Sequence, residues 1–145
     1  MNNKLLILIP VAIIVLIFGA FLVLGSSDKE EISEQVNYED ITSQDLNSIL
    51  SEREVFLLDV HVPEQVHITG TDAFIDYTKI EENQSKLPTD KDSEIVVYCR
   101  SGSMSKTASE TLVELGYTNV KNLAGGINSW KDAGYEIDES SLGTF

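Results

Sequence analysis

The chain has one cysteine, Cys99, and it is followed by Arg100-Ser-Gly-Ser-Met-Ser105. A thiol is a strong nucleophile only as its thiolate, and converging N–H donors or a nearby positive charge favour that form. One glycine and three serines within the six residues after Cys99 let successive backbone N–H groups turn inward, forming an anion-binding nest at the start of a helix. Arg100 places a cation next door. Together these features suit nucleophilic attack through an anionic intermediate held by backbone donors. A buried structural cysteine at a strand end is the competing role, and the loop composition argues against it. Phosphate-ester hydrolysis on a cysteine–five residues–arginine loop would need arginine at position 105, where Ser105 stands.

His61 and His67 are the other residues with chemistry to offer. With Cys99 as the sole soft ligand they supply no fourth zinc ligand at a recognisable spacing, so no metal site is expected. His67 is expected to make structural hydrogen bonds, whereas His61 is a candidate proton partner for Cys99. A single cysteine also rules out an intrachain disulfide.

The elements that must position this loop can be read from periodicity. Thr42 or Ser43 can cap a helix carrying Leu46, Ile49 and Leu50, preceded by a short extended segment, Asn37–Ile41. Val55–Val60 and Glu94–Cys99 are continuous apolar runs, the pattern of buried parallel strands, and the second delivers Cys99 at its carboxyl end. Short strands are expected at Ala73–Ile75 and Val120–Leu123. Helices are expected over Ile80–Leu87, stopped by Pro88, over the stripe Met104, Ala108, Leu112 and Leu115 ending at Gly116, and over Gly126–Asp132 with Trp130 in the core. Strands alternating with helices predict an α/β fold, an open parallel sheet covered on both faces. In such sheets ligands bind beyond the carboxyl ends of strands, where Cys99 lies.

Three segments carry a family resemblance: Leu57-Leu-Asp-Val-His-Val-Pro-Glu64 with His67-Ile-Thr-Gly-Thr71, the Cys99 loop, and Leu123-Ala-Gly-Gly-Ile-Asn-Ser-Trp-Lys-Asp-Ala-Gly-Tyr135. In this order, from Leu57 to Ile137, they resemble the rhodanese (sulfurtransferase) domain. The resemblance implies a sheet of about five parallel strands flanked by helices, with Cys99 accepting a sulfane sulfur as a persulfide and passing it to a thiol or other nucleophilic acceptor. It also implies that Arg100, Ser101, Gly102, Ser103 and Met104 form the cradle for a small sulfur-containing donor, without a cofactor. Met104 stands where the family has a second loop arginine, which disfavours anionic donors such as thiosulfate. His61 replaces the arginine after the family's Asp-Val, and about three residues are absent before His67. The alternative is a non-catalytic rhodanese-like module that binds a protein partner or an anion.

Eighteen of the twenty residues from Leu5 to Leu24 are Ala, Val, Ile, Leu or Phe, enough helix to cross the roughly 30 Å hydrocarbon core of a bilayer. Residues 1–25 are therefore expected to be a single-pass anchor, 26–36 a polar linker and 37–145 the rhodanese-like domain. Lys4 before the run and acidic residues after it orient the domain to the extracytoplasmic side of the cell membrane. Cleavage as a signal peptide, giving a secreted protein, is the alternative. After the run come nine basic and 24 acidic residues, a net charge of −15 that offers no electrostatic footprint for nucleic acid. The domain is expected to be monomeric.

Overall fold

The computed structural model describes residues 37–142. The first strand, β1 (Glu39–Ile41), leads into helix α1 (Ser43–Glu52). Thr42 caps α1 by accepting from the Asp45 N–H at 3.2 Å while the Asp45 carboxylate accepts from the Thr42 N–H at 2.9 Å, a capping box. Strand β2 (Phe56–Asp59), the two-residue strands β3 (His67–Ile68) and β4 (Ala73–Phe74), and β5 (Ile95–Tyr98) follow. Helix α2 (Ser103–Glu114), β6 (Val120–Leu123), helix α3 (Gly126–Asp132) and β7 (Ile137–Asp138) complete the order.

Five strands make one parallel sheet in the order β1-β6-β5-β2-β4. Alternation along the central strands divides the core. Leu58, Val60, Ile95, Val97 and Cys99 face one side and pack with Ala108 and Leu112 of α2. Leu57, Val96 and Tyr98 face the other and pack with Leu46 and Ile49 of α1 and Ile127 and Trp130 of α3. This period of two is why β2 and β5 read as unbroken apolar runs: both faces are covered. Cys99 thus lies on the α2 side, at the end of the most central strand.

Two elements differ from expectation. Residues 80–87 do not form an α-helix; Tyr77–Lys79 and Glu81–Lys86 are 3₁₀ turns. Asn83 takes non-helical angles (φ −111°, ψ 25°), and only Ile80 and Leu87 of this stretch are buried. Two anchors seven residues apart suffice for a chain lying on the core but supply no helical stripe. The other difference is a small antiparallel ladder between β3 and β7, joining His67 to Asp138 and Ile68 to Ile137.

Among the described residues no helix is long and apolar enough to cross a membrane. The expected span at 5–24 and the linker at 26–36 lie outside those residues.

Candidate active site

Cys99 follows β5 directly, and its side chain is almost wholly buried. The Gly102 N–H donates to Sγ at 3.1 Å and the Ser105 hydroxyl donates at 3.6 Å. Burial pushes the thiol pKa up, but the Ser105 hydroxyl and the backbone N–H groups of Ser105, Ser101 and Gly102 outweigh it. The net effect places the thiol below its ordinary value. Ser105 is the third residue of α2, so its N–H is one of the donors that a helix leaves unpaired at its start.

The loop is held open by the opposite helix terminus. The carbonyl of Cys99 accepts from the Ile127 N–H at 2.9 Å, and that of Arg100 accepts from the Asn128 N–H at 3.1 Å. In a planar trans peptide the C=O and the following N–H point in opposite directions, so turning the Arg100 carbonyl toward α3 turns the Ser101 N–H toward sulfur. This needs the start of α3 to touch the loop. A Cβ at Gly126 would stand 2.3 Å from the Cys99 carbonyl oxygen, and Gly126 also has φ +58°. Only glycine fits there. Gly102 likewise adopts φ +96° as the residue before α2. Ser129 secures the start of α3 by donating to the carbonyl oxygen of Ala124 at 2.8 Å.

The expected cradle residues therefore act in different ways. Ser101 and Gly102 supply N–H donors to sulfur. Arg100 is exposed and anchors the loop through its carbonyl. Ser103 is exposed at the start of α2. Met104 is half-buried, its side chain packed against the core on the α2 side. Ser105, the largest side-chain contribution to the thiolate, was not among the expected site residues. Its position six after the cysteine, within the first turn of a helix, is the signal that could have found it.

The loop after β2 stands beside this one. Asp59 is fully buried, and its carboxylate accepts from the His61 N–H at 2.9 Å, the His67 Nδ1 at 2.9 Å and the Gln65 amide at 3.3 Å. His67 Nε2 lies 3.2 Å from Glu64 Oε1. His67 is thus the structural residue the motif suggested, and the shorter segment before it still closes around Asp59. Beneath it, burial and then the Asp59 charge hold the Tyr98 hydroxyl far above its ordinary pKa; that hydroxyl accepts from the Ile68 N–H at 3.0 Å and lies 2.7 Å from the Thr71 hydroxyl. His61 differs from these. It is 5% exposed and its Nδ1 has no hydrogen-bond partner among the described residues. Burial, then the charge of Arg100, lowers its pKa, with Asp59 opposing. Among the described residues no group of three or more His, Cys, Asp or Glu side chains is placed to hold a metal ion.

Residues 29–133 match the family model of the rhodanese-like domain. The chain is 33% identical over 101 residues to an adenylyltransferase and sulfurtransferase of Candida albicans, which covers 63% of this chain but only 23% of that protein. It therefore spans about a quarter of that relative's length. It is 36% identical over 102 residues to a sulfurtransferase of Allochromatium vinosum, covering 68% of this chain and 92% of the relative. Among solved structures, a rhodanese-related protein from Thermoplasma volcanium superposes with a TM-score of 0.59 at 29% identity, covering 69% of this chain and 97% of that one. The chain belongs to the rhodanese-like domain family.

Proposed function

We propose that this member of the rhodanese-like family is a sulfurtransferase that carries sulfane sulfur on Cys99. The observation that supports the reading best is the convergence of three backbone N–H groups and one hydroxyl on Sγ. The Cys99 thiolate attacks the outer sulfur of a donor such as thiosulfate. A Cys99 S–S bond forms, the donor S–S bond breaks, and its electron pair leaves on sulfite. The persulfide is also an anion, so a loop lined with N–H donors favours it as well. An acceptor thiol, its proton lost to water, then attacks the outer sulfur. The Cys99 S–S bond breaks and its electron pair returns to Sγ as thiolate.

The apolar run Leu5–Leu24 supports placing this domain on a membrane, with the acidic chain held off anionic lipid. The span then acts by raising the effective concentration of the domain near membrane-bound donors or acceptors.

Intact mass of the full-length protein after exposure to thiosulfate or polysulfide tests the activity. A gain of one sulfur atom that a reducing thiol removes is the expected result. An unchanged mass with both donors would leave the family's fold serving only as a binding module.

A further inference from the structure

The turn Ala124-Gly-Gly126 is the floor on which the Cys99 loop rests. Just beyond it, the Ile127 and Asn128 N–H groups hold the carbonyls of Cys99 and Arg100, and the backbone of Gly102 lies against the turn itself: a Cβ at Gly102 would stand 3.2 Å from the Gly125 nitrogen. The Gly102 N–H is in turn a donor to Sγ. A shift of this turn is therefore felt at two loop carbonyls and at one donor of the nest. What fixes the turn lies behind it. Ser129 packs so closely on Gly125 that a Cβ there would come within 2.8 Å of the serine Cβ, and the Ser129 hydroxyl reaches back to the carbonyl oxygens of Ala124 at 2.8 Å and Gly126 at 3.1 Å. Ser43, the first residue of α1, is buried with its hydroxyl 2.8 Å from that of Ser129. A hydroxyl has one proton and the two carbonyls can only accept, so the Ser129 proton goes to the turn and Ser43 is the donor between the serines. The bonds thus run from α1 through Ser129 to the turn that carries the cysteine loop. Both helices pack on the face of the sheet opposite Cys99.

We propose that Ser43 and Ser129 are positioning residues for the sulfur-transfer site, a hydroxyl bridge that holds the Ala124–Gly126 turn and thereby aims the Ser101 and Gly102 N–H groups at Sγ from the far side of the sheet. The inference rests on the sulfur-carrier reading and deepens it. Neither serine bonds the cysteine loop, so the effect passes through the backbone. If the turn relaxes, the carbonyls of Cys99 and Arg100 relax with it, and peptide planarity swings the Ser101 N–H away from sulfur. Hydrogen bonds weaken steeply with angle, so a small rotation is enough. Losing the Ser129 hydroxyl acts twice, because the turn loses its donor and Ser43 keeps a buried hydroxyl without a partner. A purely structural role for the pair predicts lower stability and an unchanged thiol.

The test uses the full-length reduced protein, whose single thiol confines alkylation to Cys99. Alkylation by iodoacetamide, followed by intact mass across pH, gives the thiolate profile, and denaturant unfolding gives the stability. Ser129→Ala should slow alkylation about threefold or more on the acid limb, where the rate follows the thiolate fraction, while the limiting rate at high pH is kept. Ser129→Thr, which retains the hydroxyl, should restore the parental profile. Ser43→Ala should shift the profile in the same direction by less, and the double variant should shift it no further than Ser129→Ala, because Ser43 acts only through Ser129. An unmoved profile in Ser129→Ala, however far its stability falls, would overturn the proposal. So would shifts of the two serines that add, or a threonine variant that shifts as far as the alanine one. If Ser129→Ala does not fold, Ser43→Ala against Ser43→Thr decides: a shift in the first alone is expected, and equal profiles overturn the bridge. Sulfur loading of the parent from polysulfide is read separately. A parent that fails to load removes the carrier reading, whereas the alkylation profiles judge the bridge whether or not Cys99 carries sulfur.

Discussion

Two neighbouring loops at the carboxyl edge of the sheet use the same materials in opposite ways. After β5, N–H groups converge on one sulfur atom; after β2, a histidine, an amide and an N–H converge on one buried carboxylate. The Asp59 carboxylate is saturated with donors, its bonds 2.9 to 3.3 Å, and it ties the β3 segment to the sheet. The Cys99 nest has donors but no fixed counter-charge on sulfur, and its contacts are 3.1 and 3.6 Å. A saturated cluster stabilises one state of the chain. A nest of donors around an uncompensated sulfur favours its anionic form, which the proposed carrier role requires. His61 gives its N–H to the Asp59 cluster, while its buried Nδ1 has no hydrogen-bond partner among the described residues.

The largest effect that would sharpen this comparison is Cys99→Ser, which should abolish sulfur loading while leaving the unfolding midpoint within about 1 kcal/mol of the parent, because it changes one atom. Any loading that survives would place the sulfur elsewhere. Gly126→Ala should be next. Its Cβ would overlap the Cys99 carbonyl, so either α3 or the loop must move, at a cost of about 4 kcal/mol or more. Denaturant unfolding and alkylation of Cys99 should both change, and a variant with parental stability would show that α3 does not hold the loop.

Asp59→Ala strands the donors that meet in its buried pocket and should cost about 3 kcal/mol or more in denaturant unfolding. It should leave the pH profile of Cys99 alkylation in place. A shifted profile would break the comparison by showing that the two loops titrate together. Ser105→Ala is the smallest change. The folded thiol is held below its ordinary pKa, so thiolate persists to lower pH than in a free cysteine, and the alkylation profile of the parent should lie on the acid side of a peptide thiol. Losing the hydroxyl should move that profile back toward higher pH while stability changes by about 1 kcal/mol. An unmoved profile would assign the effect to the backbone alone.

Periodicity and composition placed the sheet and the candidate nucleophile. The runs around Leu57 and Val96 are apolar on both faces, which is a buried parallel strand, and Cys99 heads a loop of residue types suited to an anion nest. These are local signals, carried by periodicity and composition. They misjudged residues 80–87, where apolar residues at the two ends suggested a helix that Asn83 interrupts. Ser105 had a local signal, its place in the first turn after the loop, whereas the reach of α3 arises only from packing. Which N–H groups face sulfur depends on where α3 grips the carbonyls of Cys99 and Arg100, a contact across more than 25 residues of chain. The state of His61 was decided in the same way. Whether an imidazole is bonded, like His67, or left open depends on how adjacent strand ends distribute a single buried carboxylate, and no spacing within one segment encodes that division.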